Sequence, residues 1–518
     1  NKVHAITTMI GVDIASTKNY GFTSTQYGYL RDRGESFATV PSTYGTTTIS
    51  TNTIFNTRYT RNITNRVTNS VGTYLTLNYA YDNRYVVNMS VRTDASNRFG
   101  RTTNENFNPV WAGGLRWNAA KEKWFTNNKY VSDLSFRASF GYQRNMASGY
   151  SPNLIVKIPS GASAQSVDIN TGEDLLTISN LPYENLRWEK TLSSNFGTDM
   201  ALFDSRVRFS FDYYQKIGKD MIVTLQVPEE YGVTNIPVNG GSMRNTGYEV
   251  SVGLTPIRTK NFTWNLTLNS SKNFNKITRV GIQNPTWRTA VGGNLYKEGY
   301  EATAFWAFRY KGIDQTNGYP IIDLTVKDGL DPKTDPTAYM EYAGSKMPDF
   351  TGSISTSFRY KNFSLSTSLY LQLGGKKFLS PSYKSTLLPS EYENLSADLN
   401  QRWRPGDTNA TFPGLPDGSL RAIAIAGTST YANVYKMYDY SLARVVSAST
   451  LRCNSISLNY SLPTSLASKF YCKSLSLGAG VSQPFAIVSK DFKGRDAEVA
   501  TGAQPRTRIY SFNLNVSF

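Results

Sequence analysis

Segments of about ten residues in which apolar and polar side chains strictly alternate recur along this chain, and that period of two constrains its fold more than any other feature. Leu134, Phe136, Ala138, Phe140 and Tyr142 alternate with Ser135, Arg137, Ser139, Gly141 and Gln143. Val207, Phe209, Phe211 and Tyr213 alternate with Arg208, Ser210 and Asp212. Further stripes run through Tyr248, Val250, Val252 and Leu254, and through Phe262, Trp264, Leu266 and Leu268. Two more pass through Phe350, Ile354, Phe358 and Tyr360, then Phe363, Leu365, Leu369, Leu371 and Leu373. The last is Tyr510, Phe512, Leu514, Val516 and Phe518, opposite Ser511, Asn513, Asn515 and Ser517. No stripe position carries a charge, which on a lipid-facing surface would cost about 2–4 kcal/mol for Arg or Lys at mid-bilayer.

The alternation would also serve a soluble β-sandwich or propeller. Three features favour an all-β, antiparallel transmembrane β-barrel. The stripes have the length of tilted membrane strands rather than ordinary ones. Short turns at 80–85, 202–207, 256–262 and 359–363 alternate with long connections near 144–186, 218–243, 276–349, 374–449 and 484–507, the asymmetry of periplasmic turns and extracellular loops. Aromatic residues crowd the short turns, as Tyr79, Tyr81 and Tyr85 do at one and Phe358, Tyr360 and Phe363 at another. Composition agrees, since 34 Tyr and abundant Thr, Ser and Asn leave little room for helix. No apolar run approaches the eighteen or so residues of a membrane helix, so any span has to be built from strands.

About fourteen strands are expected, an even number as in bacterial barrels. They fall near 5–18, 66–80, 84–97, 108–118, 132–144, 187–201, 206–217, 243–257, 262–276, 350–360, 363–374, 450–461, 472–484 and 508–518. The last then runs inward and leaves Phe518 on the side of the short turns.

Lys and Arg exceed Asp and Glu by 17. The excess favours polyanionic surroundings such as a charged lipid or lipopolysaccharide surface, acidic ligands or nucleic acid, but it is spread out, and nucleic acid is not expected. Cys453 and Cys472 would lie at unequal distances from a hairpin turn near residue 466, which disfavours a disulfide. His4 is the only histidine, and neither a phosphate loop nor a nucleophile elbow occurs, so enzymatic chemistry is not expected and no cofactor is implied. Asp314, Asp323, Asp328, Asp331 and Asp335 cluster in one long connection. A solvated acidic loop is the plainer reading; Ca²⁺ at Asp323, Asp328 and Asp331 is the sharper one. Trp287, Trp306, Tyr310 and Trp403 suit stacking on sugar faces or capture of peptide side chains, with loop packing or interface anchoring as the alternative. Arg137, Arg208 and Arg359, on polar faces, would line the lumen for anionic ligands or neutralise neighbouring carboxylates.

Several segments resemble the SusC/RagA group of TonB-dependent outer-membrane transporters. "RTDASNRFG" (92–100) resembles the family's R-x-D-x-S-x-R-F-G segment, and 184–222 its L-x-W-E-K-T strand, turn and D-Y-Y strand. Residues 244–277, 310–320, 347–370, 449–463 and the terminal Phe strand follow in the family's order. The resemblance implies a barrel of about 22 strands, of which this chain would be the C-terminal part. It also implies a plug and a TonB-contacting segment upstream, a SusD-like surface lipoprotein, and pairing of two such importers. Closure of these fourteen strands on themselves is the alternative. Glycan import is the expected activity, oligopeptide import of the RagA type its runner-up, and a non-transporting surface adhesin the reading from another class. Tyr510, Phe512, Leu514, Val516 and Phe518 would form the signal for barrel assembly.

Overall fold

The computed structural model describes the chain apart from residues 1–2, 24–28, 31–35, 38–42, 45–46, 49–61, 98–106, 126–127, 146–153, 158–170, 174–175, 182–186, 227–234, 282–284, 384–387, 393, 419–420, 426–427, 429–430, 493–494 and 500–502. Fourteen antiparallel strands form one sheet, each paired with its neighbours in chain order. They are β1 (His4–Thr23), β2 (Asn62–Tyr81), β3 (Tyr85–Ser96), β4 (Val110–Trp117), β5 (Val131–Asn145), β6 (Glu189–Leu202) and β7 (Val207–Gln226). Then follow β8 (Asn235–Arg258), β9 (Phe262–Arg279), β10 (Phe350–Tyr360), β11 (Phe363–Leu373), β12 (Thr450–Ser461), β13 (Ser474–Val488) and β14 (Ile509–Ser517). Each corresponds to an expected strand. Among the described residues β1 and β14 do not pair with each other, and the sheet is open at both edges.

The pairing registers decide whether the separate stripes make one surface, because a slip of one residue would turn a strand's apolar set to the other face. Phe209 sits opposite Met200 and Val252, Val252 opposite Leu268, Leu268 opposite Ile354, and Ile354 opposite Leu369. At the edges Ile10 faces Leu75 and Leu477 faces Leu514. All apolar stripes therefore lie on one face. Trp117 with Phe136, Trp264 with Phe358, and Phe363 with Tyr460 stack beside the short turns, at centroid separations of 5.6, 5.6 and 4.4 Å. Trp111 with Phe140 and Tyr248 with Phe274 meet at a tilt toward the long connections. An apolar band between two aromatic girdles is the outer surface of a membrane barrel.

Three expected connections differ from what the structure holds. β7 continues to Gln226 and β8 starts at Asn235, so most of the connection expected at 218–243 is paired strand, with register shifts between Gly218 and Ile222. The connections 276–349 and 374–449 are not loose loops. A three-stranded sheet places Ala304–Ile313 between Pro320–Asp323 and Met340–Ser345. Helices Trp287–Gly292 and Val434–Asp439 pack on it around one core that takes Trp306, Phe308 and Met340 from the first connection and Ile425, Ala432 and Met437 from the second. Much of the connection 144–186 lies outside the described residues, apart from a small hairpin pairing Ile155–Lys157 with Thr177–Asn180.

Phe512 and Phe518 are 84% and 78% exposed at the open edge. Phe518→Ser is expected to reduce the amount of folded, heat-modifiable protein in the membrane; unchanged levels would count against a barrel-assembly role for this strand.

Candidate functional site on the inner wall

The face opposite the apolar band is built of hydroxyls, amides and paired charges. Ser251 donates to Asn269 Oδ1 (2.7 Å), Asn269 donates to Ser353 (3.2 Å), and Asn273 and Asn275 both donate to Asn245 Oδ1 (3.0 and 2.7 Å). These rungs cross β8, β9 and β10, and beside them Asp212, Glu249 and Ser271 help line a shallow bay of about 440 Å³.

Arg137 on β5 is clamped between Asp199 on β6 and Asp212 on β7, with Ser210 donating to Asp199 (2.9 Å). Two carboxylates thus consume this cation, so of its two expected roles the structure shows the neutralising one. The reach from β5 to β7 is possible because Gly197 stands between Arg137 and Asp212 in register, where a Cβ would collide with both side chains. The same device recurs at Gly72, in register between Asp13 and Asp94, where Arg92 bridges to Asp13 (2.8 Å) and Asp94 (2.7 Å). The R-x-D of "RTDASNRFG" is therefore a cross-strand ion cluster on the inner wall; residues 98–100 of that motif lie outside the described residues. Sequence reasoning missed these rungs, whose only trace is a glycine at a polar-face position inside a strand.

Arg208 and Arg359 come together with Arg258 around a bay of about 650 Å³ at the short-turn end of the wall. None of the three has an ion-pair partner among the described residues, and Arg359 donates weakly to Thr263 (3.5 Å). This part of the wall keeps net positive charge.

The four aromatic candidates lie elsewhere, and the structure corrects their role. Trp287 and Trp306 are each 2% exposed, in the core of the loop unit. Tyr310 packs edge-on against Tyr438 at 5.1 Å, and burial holds its hydroxyl well above the usual phenol range. The Trp403 ring lies directly over Gly318, whose φ of 75° and lack of Cβ leave room for it. These rings hold the loop unit together. Exposed aromatics in the two long connections include Tyr392, Tyr431, Tyr296 and Tyr342 at 97, 65, 45 and 45%; Tyr392 was legible as an aromatic flanked by Glu391 and Glu393.

The calcium candidates Asp323, Asp328 and Asp331 have separate surroundings. Among the described residues no three of His, Cys, Asp and Glu converge on one point. Asp323 accepts from Thr325 (2.6 Å) and faces Lys311 (3.1 Å), which together hold its carboxyl well below the usual range. Asp331 accepts from the Lys333 amide (3.0 Å) in its own turn, Asp328 is exposed, and Asp335 pairs with Lys297 (2.9 Å). Cys453 and Cys472 are both free and buried.

One carboxyl of the loop unit is unusual. Asp439 is 4% exposed with Oδ1 unpaired among the described residues, and burial pushes it up to about 6 against the opposing pull of Arg444. A folded-state value above the ordinary 3.8 means that the folded form binds the proton more tightly. Stability is then fully present below about pH 4 and falls as pH rises through about 6, by about 3 kcal/mol. Tryptophan fluorescence should show the loop unit melting at lower temperature at pH 7.5 than at pH 5, and Asp439→Asn should flatten that difference; an unchanged difference would contradict this assignment.

An apolar outer band, aromatic girdles and a charged, hydroxyl-rich inner wall define a segment of a membrane-spanning β-barrel. The chain belongs to the family described as TonB dependent receptor-like, beta-barrel, whose model matches residues 5–370. It is 27% identical over 485 residues to TonB-dependent receptor P3 of Formosa agariphila, covering 87% of this chain and 46% of that protein. It is 28% identical over 469 residues to TonB-dependent receptor SusC of Bacteroides thetaiotaomicron, covering 85% and 43%. The chain thus spans about half the length of the curated relatives it matches. The RagAB peptide transporter superposes with a TM-score of 0.77 at 19% identity, over 100% of this chain and 54% of that one, a likeness of fold.

Proposed function

We propose that this chain forms the larger part of the wall and the ligand-facing loops of an outer-membrane importer driven through TonB, which takes up glycans together with a SusD-like surface lipoprotein. The observation that carries the proposal is the two-faced wall: the registers bring the apolar stripes together on one side, and set hydroxyl and amide rungs and ion clusters on the other. On this reading the band meets lipid and lipopolysaccharide, and the polar face lines the path. The open edges at β1 and β14 receive further strands from the rest of the protein, which also supplies the plug and the TonB-contacting segment. Family membership and the likeness to SusC support the reading. The hydroxyl and amide rungs of the inner wall and the exposed Tyr392, Tyr431 and Tyr296 suit neutral sugar rings. Oligopeptide import is the second reading, favoured by the fold shared with the RagAB peptide transporter.

Purification from the native membrane in mild detergent, with intact mass spectrometry of everything retained, tests the proposal. A longer polypeptide with a co-purifying lipoprotein, and uptake that stops when TonB is deleted, is the expected result. A protein without a lipoprotein partner and with TonB-independent behaviour would favour a surface adhesin.

A further inference from the structure

At the long-loop end of the wall, beneath the connections 374–449 and 489–508, lies a cavity of about 530 Å³. Six cations line it, Lys377, Arg444, Arg452, Arg495, Arg506 and Arg508, against three carboxylates, Asp398, Asp491 and Asp496. The six differ in what already holds them. Arg452, 3% exposed, is bound to Asp496 (2.7 Å), Glu498 (2.6 Å) and Gln483 (3.2 Å), a clamp that fixes Asp496 and Glu498 on the inner face of β12. Lys377 donates to the Ala497 carbonyl (2.9 Å), and Arg506 shares Glu498 at 3.3 Å.

Arg495 and Arg508 are exposed and have no ion-pair partner among the described residues. Arg444 adds an independent sign. It is 4% exposed, donates Nη2 to the Ser380 carbonyl, and keeps an Nε with no acceptor among the described residues. A buried guanidinium donor without an acceptor is costly unless something else supplies one. Guanidinium groups pair with carboxylate and sulfate through two parallel hydrogen bonds, which a neutral hydroxyl cannot match. The cavity's volume lies within the range of clefts that take a small ligand.

We propose that this cavity is an anion subsite of the import path, in which Arg444, Arg495 and Arg508 receive a carboxylate or sulfate group of the imported oligomer. The inference rests on the importer reading and deepens it: the cargo carries acidic groups, as a uronate-containing or sulfated glycan does. A peptide with acidic side chains offers the same chemistry. The clamp at Arg452 and Asp496 builds the cavity wall, while Arg444 through its free Nε, with Arg495 and Arg508, does the binding.

Calorimetric titration of the full-length protein, purified with whatever it retains from the membrane, tests this with matched probes. Tetragalacturonate is set against maltotetraose, a sulfated tetrasaccharide against its desulfated form, and a pentapeptide of aspartates against one of asparagines. At least one anionic probe is expected to bind about tenfold or more tighter than its neutral counterpart, as befits charge-assisted hydrogen bonds. That preference should be lost in the double variant Arg495→Gln, Arg508→Gln, and should weaken as salt is raised. The member of the panel that shows it names the source of the acidic group. Equal affinities within every pair, no binding of any anionic probe, or a preference that survives the double variant would overturn the subsite. A retained lipoprotein and TonB-dependent uptake alongside any of those results would leave the importer reading standing, whereas their loss would fall on that reading instead.

Discussion

Val252→Arg is expected to lower the stability of the membrane-inserted protein by about 2–4 kcal/mol, the cost of a cation at the lipid-facing midplane. Val252 lies in register between Phe209 and Leu268, inside the band and away from either girdle, so the guanidinium has a long way to snorkel to the headgroups. Its neighbour Ser251 points the other way and gives the control. Ser251→Arg forfeits the hydrogen bond to Asn269, about 1 kcal/mol, and places its charge among water and polar side chains. Urea titration in lipid vesicles, followed by heat modifiability on gels, should separate the two variants clearly. Equal losses would mean that the two faces do not meet different solvents.

Trp306→Ala should have an effect of similar size in a different part of the molecule. The indole is buried against Tyr300 (5.4 Å between ring centroids) and shares its core with Phe308, Met340 and Met437, and truncating such a residue costs about 3–5 kcal/mol. That core joins two connections some hundred residues apart in the chain, so the loss should open both together. Limited proteolysis is expected to cut within 285–345 and 395–445 in this variant while the strands remain protected. Cleavage confined to one connection, or none, would contradict a single folded loop unit.

The wall was legible because its pattern is local. Each strand declares both faces within its own ten residues, as Phe209 and Phe211 against Arg208 and Ser210 do, and the pairing of neighbours follows from short turns. The loop unit was not legible for the converse reason. Trp306 finds Met437 across a long separation, and nothing periodic marks either residue as core. The sequence therefore left the tryptophans open between ligand-facing aromatics and loop packing, and the exposed tyrosines were passed over. Arg137 was placed on the correct face from alternation alone, but its partners Asp199 and Asp212 depend on register across three strands. The glycines that make room for such rungs carry no side chain by which to announce themselves. The extension of β7 and β8 into the expected connection was hidden by Gly218, Pro237, Gly240 and Gly241, residues that ordinarily mark turns and here lie in a paired ribbon with register shifts beside the glycines.

One face of this sheet meets lipid and the other meets water, and site-directed spin labelling along β8 separates the two. Single cysteines at 248 through 254, in full-length protein reconstituted in vesicles with Cys453 and Cys472 replaced, would each carry a nitroxide. Oxygen, which concentrates in the bilayer, should relax labels at 248, 250, 252 and 254, and a water-soluble nickel chelate should relax those at 249, 251 and 253. A profile without that period of two, or one in which the chelate reaches every position, would contradict the membrane-spanning barrel.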